Sequence, residues 1–341
     1  MLRYQIPTME RRCIMSFDCI KQIGVEIAKA EQERDNIPED IGMMKIRKLN
    51  QVLLEASLRP NPQPLWLTLW YEGEVCCLFA DSGVGKSIYA VQIATHIATS
   101  QKVLLFDFEL SDKQAQLRYT DNNGNLYQFP DNLFRGELNP SKIDASDIEE
   151  SIMRNIEEIA VTIGAKVIII DNLTYLCNTS EKGDVAGVLM MKLMELKRKH
   201  SLSILVVAHT PKRNMSNPIT QNDLAGSKKL FNFFDSVFSI GKSGKDSNLR
   251  YIKQIKVRNG GFDYDGNNVI VCSIEKENGF LHFETLGYAE ESEHLKEYTS
   301  EDRRDTINQV KALHAQGLSQ REIGNKVGIS ASSVNRIIKN Q

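Results

Sequence analysis

The sequence predicts an α/β fold: a mostly parallel sheet covered by helices, with a helical arm before it and a small all-helical domain after it. Short apolar runs alternate with amphipathic segments through the middle of the chain, as a parallel sheet between helix layers requires. Prolines interrupt residues 59–64, and apolar residues return to helical spacing near the C-terminus. The predicted domains are residues 1–60, 61–290 and 291–341.

The composition is that of a globular protein. The 341 residues are 41% hydrophobic and 25% charged, which suits one large α/β core plus a smaller domain. The net charge of −2 does not indicate a nucleic-acid-binding protein, so any such activity depends on local charge. The six cysteines show no metal-ligand spacing, and no apolar stretch resembles a membrane span or signal peptide. We therefore expect a cytoplasmic protein that does not act at a membrane.

The N-terminal arm shows two helical patterns within residues 16–58. The first places Phe17, Ile20 and Ile27 on one face. Pro38 is expected to open the second, which continues through Leu53. We interpret both as a packing arm that ends at the linker 59–64, where prolines fix the backbone and remove hydrogen-bond donors.

Two groups of apolar runs follow the linker. The first four are each followed by polar or turn residues and predict parallel strands: Val75–Phe79, Val103–Phe108, Val167–Ile170 and Ile204–Ala208. The next four leave little room for helices between them: Ser236–Ile240, Tyr251–Val257, Val269–Ile274 and Gly279–Phe283. The second group therefore predicts an antiparallel edge on the sheet.

A glycine-containing loop follows the first strand directly. It reads Ala80, Asp81, Ser82, Gly83, Val84, Gly85, Lys86 and Ser87, and a helical pattern begins after it. Gly83 and Gly85 let backbone N–H groups approach a phosphate, Lys86 can reach the β- and γ-phosphates, and Ser87 can ligate Mg²⁺. The usual motif has glycine where Ala80 stands, which a residue with negative φ accommodates. The order of strand, loop and helix predicts a P-loop that binds ATP and Mg²⁺; the alternative is a chance Gly-Lys-Ser at a helix start.

Three polar residues at the ends of other strands complete the predicted site. Asp171 ends an apolar strand and is expected to support Mg²⁺, although such an Asp can also cap a helix. Glu109 alternates with Asp107, lies beyond its strand and is expected to orient or deprotonate a water; a capping role before Ser111 is the alternative. His209 is placed to sense the γ-phosphate, or is structural.

Positive charge is concentrated between Lys212 and Arg258. This segment contains ten Lys or Arg residues and three Asp residues. Charge counting alone leaves two interpretations open, a solvated face and a nucleic-acid surface.

The ordered motifs resemble a known family across roughly residues 66–284. Phe106–Ser111 resembles the catalytic-glutamate motif of hexameric RecA-type helicases, and Ala208–Lys212 resembles their sensor strand. Asp223–Ser227 with Asp235–Phe238 resembles the segment that follows in plasmid replicative helicases. Lys256-Val-Arg258 resembles the Lys-x-Arg finger that these proteins insert into a neighbouring subunit's site. The chain is identified as a RecA-like P-loop ATPase of the plasmid RepA/DnaB type, relatives of which on mobile elements are labelled AAA-family ATPases.

This resemblance implies a ring or filament of identical subunits with ATP at the interfaces. Glu109 would be the general base, and Lys256 and Arg258 would act in trans, unless Arg258 is a solvated strand residue. Lys212, Arg213, Lys228 and Lys229 would face a nucleic-acid strand. The short N-terminal arm, the lack of a visible primase-binding domain and the few aromatics in the basic region argue against processive unwinding.

The final residues carry an independent pattern. Ile307, Val310 and Leu313 mark a first helix that Gly317 can end, Ser319-Gln-Arg-Glu322 is a capping box, and Gly328-Ile-Ser330 is a tight turn before a third helix. This order predicts a helix-turn-helix.

The amino-acid sequence of this segment resembles the C-terminal DNA-binding segment of resolvase and invertase recombinases. Four residues face outward on its third helix and suit groove and phosphate contacts: Ser332, Asn335, Arg336 and Lys339. A three-helix protein-interaction module is the alternative.

Together these patterns predict an ATP-dependent DNA-binding protein that acts in replication, mobilisation or recombination of a plasmid, phage or conjugative element. Two other functions stay open: a replicative-type helicase, and a non-motor regulator whose nucleotide state gates DNA recognition or transcription. A serine recombinase is disfavoured, because the predicted ATPase core occupies the place of that enzyme's catalytic domain.

Overall fold

The computed structural model describes most of the chain as two compact units, Met1–Pro62 and Gln63–Gln341. The boundary between the two units lies within the linker 59–64. The described residues are 17–34, 38, 40–139, 141, 148–172, 183–211, 213–224, 228–258, 260–296, 300–327 and 329–339.

The first unit contains two helices, α1 (Phe17–Arg34) and α2 (Leu49–Ser57). The prediction that Pro38 opens the second helix is wrong, because β1 (Asp40–Ile41) and β2 (Met44–Lys45) form a small hairpin instead. Gly42 takes a φ of 59° in the turn, a conformation that ends a right-handed helix. Ile41 and Met44 pair across this hairpin, so a three-residue spacing typical of a helix comes here from a turn.

The second unit is built on a nine-stranded sheet, with a two-stranded sheet before it formed by β3 (Pro64–Trp66) and β4 (Trp70–Tyr71). Its strands are β5 (Val75–Ala80), β6 (Val103–Asp107), β7 (Leu133–Gly136), β8 (Val167–Asp171), β9 (Ser203–His209), β10 (Ser236–Lys242), β11 (Leu249–Lys256), β12 (Val269–Glu277) and β13 (Phe280–Ala289). Their order is β13-β12-β11-β10-β5-β9-β8-β6-β7.

The strands from β10 to β7 run parallel, whereas β11, β12 and β13 add antiparallel pairs. The predicted fold class, a RecA-like α/β core with a mostly parallel sheet and an antiparallel edge, is confirmed. Each of the eight predicted apolar runs matches a strand, and the runs of β6, β11 and β13 each extend one residue beyond the strand. The ninth strand, β7, is not predicted by the sequence pattern, because its residues Leu-Phe-Arg-Gly contain only a two-residue apolar run.

Helices cover both faces of the sheet, which explains the continuous apolar runs. They are α3 (Lys86–Ala98), α5 (Ile148–Ile163), α6 (Gly183–His200) and α7 (Lys228–Phe233), while α4 (Asp112–Arg118) has no buried residue. In β5, Val75, Cys77 and Phe79 join the core cluster that includes α5 and α6, while the alternate residues Cys76 and Leu78 join the cluster that includes α3. None of the helices among the described residues is long and apolar enough to cross a membrane.

Three short helices follow at the C-terminus: α8 (Ser300–Ala315), α9 (Gln320–Val327) and α10 (Ala331–Lys339). Val310, Ile323 and Val334, one from each helix, are buried against one another. The predicted capping box is present, because the Ser319 N–H donates to Glu322 Oε2 at 2.8 Å and the Glu322 N–H donates to Ser319 Oγ at 3.3 Å.

Two glycines shape this C-terminal bundle. Gly317 has a φ of 82° just after α8, the left-handed conformation typical of a helix end. A Cβ on Gly324 would lie 2.6 Å from the carbonyl oxygen of Ile329, so α9 can approach the following turn only without a side chain there. Gly328, the predicted turn residue, lies outside the described residues.

Candidate active site

The predicted site residues gather where several parallel strands end. β9 lies between β5 and β8, with Ala80 paired to His209 and Asp171 paired to Val207. The carboxyl ends of these strands therefore form one edge, where ligands bind in open α/β sheets. Two strands, β9 and β8, separate β6 from β5. The Phe108 N–H donates to the Asp171 carbonyl at 3.0 Å. This hydrogen bond continues the parallel β6–β8 pairing to the end of β6, so that end lies at the same edge.

The loop after β5 has the backbone geometry that close approach to an anion needs. Gly83 and Gly85 have φ values of 74° and 111°, which favour glycine. A Cβ on Gly85 would also lie 2.9 Å from Phe283 Cζ, so both the backbone and the packing exclude a side chain. Ala80 is the last residue of β5 and needs no such conformation, so its departure from the usual motif is accommodated.

Lys86 begins α3 and points its ammonium group back into this loop. Its Nζ donates to the carbonyls of Ala80 and Asp81 at 2.9 and 3.0 Å. Burial lowers the pKa of Lys86, while the carboxylates of Asp171, Glu109 and Asp81 oppose this shift. The first N–H groups of a helix have no partner within it. An anionic group such as a phosphate therefore fits this ammonium group and helix end.

Asp171 and Ser87 present oxygen atoms beside Lys86. Asp171 is 5% exposed, and burial raises the pKa of its carboxyl to about 6, against a lowering hydrogen bond from Ser87. Hydroxyl and carboxylate oxygens are ligands that Mg²⁺ accepts, so these residues fit the predicted metal. The alternative helix-capping role of Asp171 involves residues 173–182, which lie outside the described residues.

Replacing Asp171 by asparagine is expected to stabilise the nucleotide-free protein. A pKa raised from 3.8 to about 6 corresponds to about 3 kcal/mol. The native carboxyl contributes stability that is fully present below pH 3.8 and is lost as the pH rises through about 6. Asp171→Asn should therefore raise the free energy of unfolding in urea at pH 8, by less at pH 5, while Mg²⁺-dependent ATP hydrolysis is lost. Equal or lower stability at pH 8 would contradict the burial argument.

Glu109 and His209 meet at the same edge through Asn172. The Nδ2 of Asn172 donates to Glu109 Oε1 and lies 3.0 Å from His209 Nε2. His209 Nε2 lies 3.7 Å from Glu109 Oε1. Burial and the charge of Lys86 lower the pKa of His209, which favours the neutral ring. Asn172 can donate to His209 Nε2 only when that nitrogen carries no proton.

Asn172, which is 1% exposed, is a site residue that was not predicted from the sequence. Its position in the sequence could have indicated it, because it is a polar residue immediately after a buried strand and directly beside the predicted Asp171. The peptide bond between these two residues is cis.

Asp107 stabilises the turn that follows β6 and does not belong to the group around Lys86. Its Oδ1 accepts hydrogen bonds from the N–H groups of Glu109 and Leu110, both at 3.1 Å, and its Oδ2 pairs with Arg135 at 3.2 Å. The cap of α4 is a reciprocal pair between Ser111 and Gln114. Glu109 is therefore not needed as a cap, and its 41% exposed side chain is available at the edge of the site.

Arg213 does not lie on an exposed basic face. Its side chain is 6% exposed, and its Nε lies 3.2 Å from Asp81 Oδ2 in the loop after β5. This placement does not fit the predicted contact with a nucleic-acid backbone, because the guanidinium already serves an internal carboxylate. Lys212 lies outside the described residues; Lys228 and Lys229 begin α7, and their side chains are outside them too.

Lys256 and Arg258 lie at the opposite edge of the sheet, where the parallel strands begin. Lys256 pairs with Val237 at the start of β10, which runs parallel to β5. Lys256 Nζ donates to two carbonyls at the end of α7, and Arg258 NH1 lies 2.6 Å from Asp235 Oδ1. Within one chain the structure does not bring this pair to the edge that holds Lys86.

Three of the four predicted DNA-contacting residues on α10 are exposed. Ser332, Arg336 and Lys339 are spaced so that they share one helix face. Asn335 is half-buried, and its Oδ1 accepts a hydrogen bond from Gln320 at 3.5 Å.

Comparisons with known proteins identify a family for this chain. The family described as "AAA domain" matches residues 45–215. Among solved structures, the chain is similar to a KaiC-like protein from the hyperthermophilic archaeon Pyrococcus horikoshii, with 13% identity, 63% of this chain and 91% of that chain covered, and a TM-score of 0.44. No curated protein matches the sequence.

Proposed function

Because this chain belongs to the AAA domain family, we propose that it is a RecA-like ATPase that binds DNA and uses ATP hydrolysis to change the contacts between its subunits on DNA. One observation carries the proposal: the P-loop Lys86, the carboxylates Asp171 and Glu109, and His209 lie together at one sheet edge. Such a set combines phosphate binding with a base beside it, which phosphoryl transfer to water requires.

Each residue has a separate role in this chemistry. Lys86 and the N-terminus of α3 bind and orient the phosphates. Ser87 and Asp171 would hold Mg²⁺, which when bound neutralises charge on the β- and γ-phosphates. Glu109 orients a water and accepts its proton. His209, neutral and connected to Glu109 through Asn172, reports the presence of the γ-phosphate.

Lys256 and Arg258 are proposed to complete the site of a neighbouring subunit. Their position at the opposite edge of the sheet supports a role in trans, since one chain cannot bring them to its own Lys86. A ring or filament with ATP at each interface follows from this assignment.

The C-terminal helices are proposed to select the DNA site. The exposed face of α10 with Arg336 and Lys339 suits phosphate and base-edge contacts. Lys212, Lys228 and Lys229 remain proposed contacts for a nucleic-acid strand, whereas Arg213 does not. An ATPase joined to a DNA-reading module suits replication, mobilisation or recombination of a mobile element.

Deletion of residues 300–341 is expected to lower affinity for a preferred duplex site about 10-fold or more while basal ATPase activity persists, because base contacts come from these helices. Arg336→Ala should lower duplex affinity in the same direction, and Lys311→Ala, an exposed lysine on α8, serves as the charge-matched control. Fluorescence anisotropy with labelled duplex measures both. Unchanged binding after the deletion would indicate a protein-interaction module instead.

Two alternatives give different results in ATPase and unwinding assays. A replicative-type helicase would displace a strand and be stimulated by single-stranded DNA. A non-motor regulator would bind ATP and DNA with negligible DNA-stimulated turnover. ATPase rates with no DNA, single-stranded DNA and duplex DNA, combined with a strand-displacement assay, distinguish the three.

A further inference from the structure

Asp81 in the P-loop is held by two residues that follow the His209 strand. Thr210 Oγ1 donates to Asp81 Oδ1, and Arg213 Nε lies 3.2 Å from Asp81 Oδ2. Arg213 also donates from NH1 to the carbonyl of Asn217 at 2.9 Å. One buried guanidinium therefore joins the P-loop to the residues after β9. We define residues 213–219 as the post-sensor loop.

The post-sensor loop is in turn bonded to residues 290–296, the segment that precedes α8 in the chain. The N–H of Ile219 donates to Glu291 Oε1 at 2.7 Å, and the N–H of Lys296 donates to the carbonyl of Met215 at 3.2 Å. Ser216 Oγ donates to the carbonyl of Lys296. These contacts hold both ends of the segment.

The Glu291 contact is a strong anchor because the carboxylate is buried and paired. Glu291 is 3% exposed, and Lys253 Nζ lies 2.5 Å from its Oε2. Tyr251 donates its hydroxyl to Glu291 Oε1 at 3.3 Å. Separating the segment from this position would leave a buried charge without its partner, which is strongly unfavourable. Lys253 Nζ also donates to the carbonyl of Ile219 at 3.0 Å, so the post-sensor loop and the segment share this buried pair.

We propose that the P-loop is coupled to residues 290–296 through Asp81, Arg213 and the post-sensor loop, so that nucleotide occupancy changes the backbone stability of the segment leading to the C-terminal helices. The inference rests on the proposed nucleotide binding. Phosphate binding draws Lys86 away from the carbonyls of Ala80 and Asp81, and the carboxylate of Asp81 transmits that change to Arg213. Coupling of this kind is reciprocal, so a ligand of the C-terminal helices would also change nucleotide affinity.

Hydrogen–deuterium exchange of the full-length protein, with and without Mg²⁺-ADP, tests the coupling. Nucleotide is expected to change the exchange rate of peptides covering 213–219 and 290–296 together, by about 5-fold or more. Ser216→Ala removes a bond between the loop and the segment while leaving the P-loop intact. In this variant the change in 213–219 should persist and the change near Lys296 should fall, because the Ser216 bond to Lys296 is lost, while the Ile219 contact still carries the change at Glu291.

Ser292→Ala is the matched control, because its hydroxyl bonds to Glu290 at 3.1 Å within the segment and does not contact the post-sensor loop. It should behave as wild type. Calorimetric titration with ADP separates the possible failures. Bound ADP with unchanged exchange at 290–296, or the same response in both serine variants, overturns the coupling alone. Absence of ADP binding by the wild-type protein overturns the proposed function as well.

Discussion

Replacing Lys86 by alanine is expected to lower the rate of ATP turnover by about 10³-fold or more, which abolishes it in practice. The ammonium group stabilises the negative charge on the phosphates in the transition state. No other described lysine donates to the P-loop carbonyls. The rate of phosphate release by the variant and by the wild-type protein, both at saturating ATP and Mg²⁺, measures this loss.

Lys102→Ala is the control for this substitution. Lys102 donates to the carbonyl of Ile163 at 2.9 Å, away from the P-loop, so removal of the same charge there should leave turnover close to wild type. Circular dichroism confirms that both variants fold. Near-normal hydrolysis by Lys86→Ala would remove the P-loop assignment.

Arg258→Ala and Glu109→Gln are each expected to lower hydrolysis strongly while ATP binding survives. Loss of an arginine finger costs about 10³-fold or more, and loss of a general base costs about 10²-fold or more. The fold should tolerate Arg258→Ala, because Asp235 keeps its ion pair with Lys197 at 2.6 Å. Arg198→Ala, an exposed arginine on α6, controls for charge.

Mixing the two inactive variants is expected to restore part of the activity. Some interfaces in the mixture then combine an intact Glu109 from one subunit with an intact Arg258 from its neighbour. Light scattering confirms assembly at each ratio. If no ratio recovers activity in assembled protein, Arg258 acts in cis or only through its ion pair with Asp235.

The parts of the site that the sequence could predict are those encoded locally. Gly83, Gly85 and Lys86 follow an apolar strand directly, and Asp171 and His209 end similar strands. Parallel strand ends meet at one edge whatever the order of the strands. Local order was thus sufficient to predict that these residues come together.

The parts that sequence could not predict depend on contacts between distant residues. Arg213 lies in a basic stretch, and charge counting cannot show that its partner is Asp81, 132 positions away. Pro38 and the apolar residues after it suggested a helix, but Gly42 closes a hairpin whose facing residues have the same spacing. In both cases the sequence carries only a local signal, charge for Arg213 and side-chain spacing for the residues after Pro38, and tertiary contacts decide which interpretation holds.

The placement of Lys256 and Arg258 at the sheet edge opposite Lys86 has an arithmetic consequence for the assembly. If the pair acts in trans, a lone subunit has no complete site, an open row has one complete site fewer than its subunits, and only a closed ring completes all of them. Specific activity would then rise with protein concentration and level off when rings close. At a low cellular concentration such a protein would then hydrolyse little ATP, because few complete sites would form.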